Sequence, residues 1–584
     1  MITYARQFID GQFTEATGPE RFCIVNPATE EAIAEVASST PSDVDAAVAA
    51  ARDAFQSWSV TPTKERRGIL EALAAELDRR TDEMADVMCA EVGTPLIESR
   101  ELQVGLARHL LQTNIDILSD YDQDAYRTVA NSRVFREPVG VVAAISPWNY
   151  PLLLSMSKII PALAAGCTVV HKPSEVTPLN TLLLAEIATA AGVPDGVYNV
   201  VIGTGPNIGE HLVRHPDVDM VAFTGSTKAG QRVYELSAAS VKKINLELGG
   251  KSANIVLSDA DLATAVDAGV RQVFFASGQA CFAWSRLLVP RDKLGEAEEI
   301  ARATAESYRI GDPTDESTTL GPLVSRVQQQ RVRDYIFGAV AEGASLVTGG
   351  AAQPTETARG YFVSGTVLSN VSPTMTVARE EIFGPVVCLM PYDTEEHAIQ
   401  IANSTDFGLH GGVFSADVDH ATAVARRLRT GRVDINGAAN NMLAPFGGFK
   451  QSGLGGSSAG PGSRSSWKPR QSSTETSASS LAAASHDSIV CRHLSVACDA
   501  AGSRRDDHSA SDDASRSSPR GVHPGGQRAV VDPLGCRVGS RVRGHHRDLA
   551  TRLHDDAGPL RGSACSLRSP GPVVGAETGA GAAR

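Results

Sequence analysis

Membrane-spanning runs, an export signal and a disulfide framework are all missing from this chain of 584 residues. Its most apolar stretch, Ile159 to Val170, is short and interrupted by Pro161 and Gly166, so no membrane span is expected. The opening Met1-Ile-Thr-Tyr-Ala-Arg6 lacks the charged-then-apolar pattern of a secretory leader. Nine cysteines are few for this length. Without export they are expected as reduced thiols in a cytoplasm, free for chemistry. A basic face is missing too, which argues against a nucleic-acid partner.

The scarcity is concentrated at one end. The last 129 residues, 456–584, contain no Phe, Tyr, Met or Asn, one Ile (Ile489), one Trp (Trp467) and one Lys (Lys468). They carry 23 Ser and 16 Arg and have a net charge of +5, against -18 for residues 1–455. A segment without large apolar side chains buries too little surface to offset the entropy of ordering it, so a disordered tail is expected. His486, Cys491, His493 and Cys498 lack paired C-x-x-C spacing, and no metal site is expected. Length alone suggests three or four domains; the body of about 455 residues reduces this to two.

What is present in the body is an alternation of strand and helix patterns. Phe8-Ile-Asp-Gly-Gln-Phe13 reads as a hairpin turning at Asp10-Gly11, and Thr40-Pro41-Ser42-Asp43 as a helix start. Helical periodicity runs to about Asp120, and strand character follows from Tyr126 to Val142. Apolar strands at Val141–Ile145, Thr168–His171, Tyr198–Ile202 and Val218–Phe223 then alternate with helices. This predicts a parallel sheet covered on both faces, with ligands beyond the carboxyl ends of its strands. A second alternating run, from Val273 to about Val433, suggests a second α/β domain.

Several loops hold residues suited to chemistry. Gly203-Thr-Gly205-Pro-Asn-Ile-Gly209 has one residue too many for a dinucleotide loop and reads more readily as a turn. Phe223-Thr-Gly225-Ser226 lies between strand and helix, where backbone N–H groups can meet a phosphate. Lys172-Pro-Ser174-Glu175 follows a strand; Glu175 can accept from a ribose diol and disfavours a 2′-phosphate, or the pair is simply a solvated loop. Cys281, in Gly278-Gln-Ala-Cys281-Phe282, is either a buried core thiol or a nucleophile. Glu247, ending Ile244-Asn-Leu-Glu247, supplies a carboxylate, and Asn149, in Ser146-Pro-Trp148-Asn149-Tyr150-Pro151, an amide. Thiol, carboxylate and amide are the parts of a nucleophile, a base and an oxyanion donor.

In this order the blocks resemble the aldehyde dehydrogenase superfamily. The resemblance rests on Pro147-Trp-Asn149, Lys172-Pro-Ser-Glu175, Phe223-Thr-Gly-Ser226, Glu247-Leu-Gly-Gly-Lys251 and Gly278-Gln-Ala-Cys281. It continues through Glu380-Glu-Ile-Phe-Gly-Pro385 and Pro445-Phe-Gly-Gly-Phe-Lys-Gln-Ser-Gly453, covering residues from about 8 to 455. It implies an α/β fold: a Rossmann-like parallel-sheet NAD-binding domain (1–118 and 139–249), a small β oligomerisation arm (119–138) and a second α/β catalytic domain (250–455). The implied reaction is NAD-dependent oxidation of an aldehyde, with NADP disfavoured by Glu175. Cys281 would form a thiohemiacetal and then a thioester, Asn149 would hold the oxyanion, and Glu247 would activate water.

The resemblance further implies a cofactor site of Ile145, Ser146, Pro147, Trp148, Lys172, Ser174, Glu175, Gly205, Phe223, Thr224, Gly225, Ser226, Leu248, Gly249, Glu381 and Phe383. Tyr150, Leu153, Ser157, Phe282 and Phe446 would line the aldehyde pocket. Acid-semialdehyde relatives often place an arginine on the helix after Trp-Asn; Ser157 faces there instead, which favours an uncharged aldehyde. Ala276-Ser277 replaces the usual Asn-Gln before Gly278. His410, in Gly408-Leu-His-Gly-Gly412, is atypical, and the sequence assigns it no role.

After Gly455 the resemblance stops. The family continues to a terminal strand that pairs with the arm and joins subunits into a homodimer or homotetramer. Here a composition typical of GC-rich DNA read in a shifted frame takes over, with a genuine disordered appendage as the alternative. Without the terminal strand the arm would present an unpaired edge, and a poor oligomer is expected. Two further functions remain open on these residues: an inactive dinucleotide-binding chain, and a CoA-acylating dehydrogenase, against which Glu247 speaks.

Overall fold

The computed structural model describes residues 2–4, 6–119, 127–129, 132–134, 137–439, 441, 444–456 and 471–473. The chain divides into Met1–Ser485 and His486–Arg584, and every described residue lies in the first unit. The disorder expected of the tail therefore falls almost wholly outside the described residues.

Two eight-stranded sheets and two small ones form the described unit. In spatial order the first sheet runs Gly453–Leu454, Lys243–Glu247, Met220–Thr224, Val141–Ile145, Thr168–Lys172, Tyr198–Val200, Arg6–Ile9 and Gln12–Glu15. Its five central strands are parallel, and both edges are antiparallel. Alternate residues of Val141–Ile145 face opposite ways. Val141, Ala143 and Ile145 pack with Val44, Val48 and Ala51 of the helix Pro41–Trp58, while Val142 and Ala144 pack with Leu152, Met156 and Leu163. Both faces are thus covered, as an apolar strand flanked by helices requires.

Local chemistry sets the element ends. Asp10 and Gly11 both have positive φ (52° and 74°), the two-residue turn that joins Arg6–Ile9 to Gln12–Glu15. Thr40 caps its helix: its hydroxyl accepts from Asp43 N at 3.3 Å, and Thr40 N donates to Asp43 Oδ2 at 2.8 Å.

The second sheet runs Ser345–Thr348, Thr366–Ser369, Val386–Tyr392, Arg286–Pro290, Ala253–Val256, Gly411–Phe414, Arg432–Ile435 and Gln471–Ser473. All neighbours are parallel except the first pair. The alternating run read from Val273 begins late, while the sheet opens inside the expected 250–455 domain. Val273 lies in the helix Leu262–Phe274, and the sheet opens at Ala253–Val256 near its centre. Two further boundaries shift. Gly453–Leu454 rejoins the first sheet, pairing with Leu246 and Glu247, so 250–455 is not confined to the second. Gln471–Ser473 is a strand beside Arg432–Asp434, so residues 456–584 are not without structure throughout. Edge pairing uses backbone groups and needs no apolar side chains, which the composition argument overlooked.

The chain therefore passes between the large sheets three times, after Glu247, before Gly453 and again between Leu454 and Gln471. Ser452, fully buried, ties the first two passages together: its Oγ donates to Gly249 O at 2.6 Å and accepts from Gly408 N at 2.9 Å, and its carbonyl accepts from Leu248 N at 2.9 Å. Within the expected arm, Arg127–Val129 and Ser132–Val134 form a two-stranded antiparallel hairpin.

Candidate active site

The carboxyl edge of the first sheet carries one half of the site. Asn149, buried in the loop after Val141–Ile145, donates from Nδ2 to Gln279 O at 2.7 Å, reaching the loop that bears Cys281. Ser146 Oγ lies 2.8 Å from His171 Nε2 and accepts from Ser155 Oγ at 2.9 Å, which fixes the loop from behind. Lys172 is buried at the end of its strand. Its Nζ donates to Pro173 O and Gly203 O, each at 2.6 Å, and stands 3.6 Å from Glu175 Oε2. The Glu175 side chain itself is 34% exposed. Ser226 caps the helix Thr227–Ala238, its Oγ accepting from Ala229 N at 3.3 Å. Glu247 closes the strand Lys243–Glu247 and is buried.

The second sheet supplies the other half from the amino ends of its strands. Before Cys281, three consecutive residues have positive φ: Ala276 (49°), Ser277 (55°) and Gly278 (74°). Two are not glycine, so the loop is held against a backbone preference. Glu98 Oε1 accepts from Ala276 N at 2.9 Å, and Ser277 Oγ donates to Gly321 O at 2.8 Å. Gln279 donates from Nε2 to Ala276 O at 3.2 Å and accepts from Val324 N at 2.9 Å. A Cβ on Gly278 would fall 2.0 Å from Gly384 O, which explains the glycine. Across the seam, Glu381 Oε1 accepts from Gly250 N at 2.9 Å, and Phe383 meets Trp148 edge-on at 5.3 Å. Tyr150 stacks on Phe275 at 5.9 Å and lies 6.3 Å from Phe282, forming an aromatic wall beside the thiol.

Electrostatics place these groups in one field. Burial, then the Glu381 and Glu247 charges, push the Cys281 thiol up to about 12, with Lys158 opposing. Burial lowers Lys158 to about 8 against the pull of Glu247 and Cys281, and raises Glu381 to about 7. The resting nucleophile is thus a protonated thiol.

Cys281, Asn149, Glu247, Glu381, Phe383 and Trp148 converge on this seam, with Tyr150 and Phe282 beside them. Ile145, Phe223, Thr224, Leu248 and Ser174 are buried along the first sheet's carboxyl edge and its loops, while Pro147 keeps partial exposure. Gly249 runs against Glu381: a Cβ there would come 2.6 Å from its Oε2. Gly225 precedes the helix cap, and Gly205 opens a wide turn that needs no close approach. Leu153 packs partly buried against the Tyr150 cluster. Phe446 precedes Gly447, where an added Cβ would stand 3.5 Å from Glu247 Oε1. Ser157 turns its hydroxyl to Leu154 O at 2.9 Å, within its own helix.

Sequence reasoning passed over Lys158, whose Nζ donates to Thr224 Oγ1 at 2.6 Å and Leu154 O at 3.1 Å. It is the one charged residue of the apolar helix Pro151–Ala165, a signal that was there to be read. Among the described residues no cluster of ligands fits a metal, and no helix is long and apolar enough to cross a membrane.

A half-buried thiol in the field of two carboxylates thus stands where two large α/β sheets meet. The model of the aldehyde dehydrogenase family matches residues 13–467, and the chain belongs to that family. The match runs past Gly455, beyond the reach of the quoted blocks. The chain is 47% identical over 458 residues to a 3-succinoylsemialdehyde-pyridine dehydrogenase of a Pseudomonas species, covering 78% of this chain and 95% of that protein. It resembles the crystal structure of a cysteine-to-alanine mutant of aldehyde dehydrogenase C from Pseudomonas syringae, complexed with NAD+ and octanal. There the identity is 43% and the TM-score 0.76, over 77% of this chain and 93% of that one. The NAD+ complex of an aldehyde dehydrogenase from Bacillus cereus gives 39% and 0.75, over 78% and 93%.

Proposed function

We propose that this chain oxidises an uncharged aldehyde to its carboxylic acid with NAD, through a thioester on Cys281. The observation that carries this reading is the Cys281 loop, gripped by Asn149 and placed in the field of Glu247, Glu381 and Lys158. Residues 1–118 and 139–249 act as the NAD-binding part and 250–455 as the catalytic part, save the Gly453–Leu454 strand.

The residues present fit a dinucleotide. The exposed Glu175 carboxylate beside buried Lys172 suits a ribose diol, and its charge opposes a 2′-phosphate. Gly225 and the capped start of the helix Thr227–Ala238 suit a pyrophosphate. Glu381 and Phe383 would hold the nicotinamide end. NAD, when bound, supplies a hydride acceptor and a positively charged ring that favours the thiolate.

The chain's own groups perform the remaining work. With its proton passed to Glu247 and on to solvent, the Cys281 sulfur attacks the carbonyl carbon, and the resulting oxyanion is held by Asn149 Nδ2 and the Cys281 backbone N–H. The aldehyde hydrogen would leave with its electron pair to the hydride acceptor that NAD supplies, and the collapsing oxyanion leaves a thioester. Glu247 takes a proton from the water that cleaves it, and the acid departs with the thiol restored. Tyr150, Phe275 and Phe282 give the aldehyde an apolar wall without a cation, which suits an uncharged substrate. That Pseudomonas syringae complex holds octanal and supports the same class.

The compositional break after Gly455, shortly before the family match ends at 467, supports a shifted reading frame in the tail, a cytoplasmic location fits the free thiols, and the arm hairpin supports weak assembly. DNA sequencing across codons 450–470, cell fractionation and light scattering test these three in turn.

The decisive assay follows NADH formation with a panel of uncharged aldehydes, with and without CoA. Wild type turns over without CoA, and Cys281→Ala loses at least about 10⁴-fold in turnover. Absence of turnover with every aldehyde, or strict dependence on CoA, overturns the reading.

A further inference from the structure

We propose that His410, fastened by Asp434 and Arg432, is a positioning residue that holds Phe282 and Trp284, and so the pocket wall beside Cys281. The proposal rests on the Cys281 reading above. His410 immediately precedes the strand Gly411–Phe414 and is 4% exposed. On the neighbouring strand Asp434, equally buried, receives Arg432 twice: Nε donates to Oδ1 at 2.8 Å and Nη2 to Oδ2 at 3.0 Å. His410 Nε2 lies 2.9 Å from Asp434 Oδ2.

Burial alone would raise the Asp434 carboxyl, but His410 and Arg432 together hold it below its ordinary range. Asp434 is therefore an acceptor only, and His410 Nε2 carries a proton to donate to it. This fixes the ring and aims Nδ1 at the segment after Cys281. There Nδ1 has two neighbours, the Trp284 indole Nε1 at 3.2 Å and the Phe282 carbonyl oxygen at 3.0 Å. A neutral ring accepts from Trp284; a doubly protonated ring donates to Phe282 O. In either form His410 grips the segment.

Gln272 grips the same residues from the other side, its Nε2 donating to Phe282 O at 3.2 Å and its Oε1 accepting from Trp284 N at 2.6 Å. The rings agree with the polar contacts. Phe282 meets His410 edge-on at 6.0 Å and Tyr150 at 6.3 Å, so His410 backs the ring that Tyr150 faces. A plain core position would be filled more economically by an apolar residue. Three buried polar or charged groups in one chain are costly to desolvate and give orientation in return. His410 touches neither substrate nor sulfur; it acts through Phe282.

The test compares His410→Ala, His410→Asn and His410→Gln in the full chain. Asn places an amide where Nδ1 stands, within reach of Phe282 O; Gln reaches toward Asp434. The expected result is an aldehyde KM raised about tenfold in Ala and Gln and restored to within about threefold in Asn, with the NAD KM of all three within about twofold of wild type. Iodoacetamide alkylation of Cys281, which needs no turnover, follows the same order. A wild type that turns over no aldehyde sinks the dehydrogenase reading, while the alkylation order still decides on His410. Should His410→Ala fail to fold, the Asn and Gln pair carries the comparison. Equal behaviour of Asn and Gln, rescue by Gln alone, or aldehyde and NAD constants that change together overturns the proposal.

Discussion

The two large sheets meet the same site with opposite ends. The first offers the carboxyl ends of its strands: Asn149, Lys172, Ser226 and Glu247 all lie at or just after them. The second offers amino ends: Cys281, Glu381 and His410 all lie just before Arg286–Pro290, Val386–Tyr392 and Gly411–Phe414. The difference is electrostatic as well as topological. Carboxyl ends feed helix N-termini, whose free N–H groups suit anions such as a pyrophosphate. Amino ends receive helix C-termini. Cys281 lies in the loop between the helix Leu262–Phe274 and its strand, where burial and two carboxylates work against a thiolate. The first edge offers groups that suit an anion, and the second surrounds its thiol with burial and negative charge that keep it protonated.

This contrast can be attacked at the seam, at the first edge and at the second. The largest effect is expected from Ser452→Ala, which strands Gly408 N and Gly249 O between the sheets. Chemical denaturation should show a loss of about 2–3 kcal/mol, and an unchanged midpoint would mean that the seam is not held there. At the first edge, Glu175→Gln should raise the NAD KM about tenfold and narrow the preference over NADP, with kcat little changed. A fall in kcat with an unaltered KM would place Glu175 outside the cofactor site. At the second edge, Glu381→Gln removes a negative charge that raises the Cys281 pKa. Alkylation of the cofactor-free protein at pH 8–9 should therefore quicken about threefold, while wild-type alkylation climbs about tenfold per pH unit across that range. A slower mutant, or a wild-type plateau below pH 9, would contradict the protonated resting thiol.

Local signals were legible in the sequence, and distant partners were not. The Asp10-Gly11 turn and the Thr40 cap each depend on residues within a few positions, and both stand where expected. The family blocks gave the class for the same reason, since each is a contiguous loop at a strand end. The alternating run from Val273 starts inside the amphipathic helix Leu262–Phe274 and so passes over the short strand Ala253–Val256, whose four buried residues carry no alternation to mark it. His410 read as a lone histidine because Asp434 and Phe282 lie far away in the chain. Glu98, the acceptor for Ala276 N, is further still. Lys158 is a different case: its sequence signal was present, but only Thr224 on another strand gives it meaning.

The repeated passage of the chain between the sheets has a mechanical consequence. Three covalent crossings, two of them tied together at Ser452, join the sheets as a spine joins the covers of a book. The fore-edge is latched as well. Arg326 pairs with Glu30 and Arg359 with Glu31, Tyr361 N donates to Pro27 O at 2.9 Å, and Leu96 N donates to Pro313 O at 2.8 Å. Moving the first sheet's carboxyl edge away from the thiol would therefore mean breaking the Ser452 hydrogen bonds as well as these contacts.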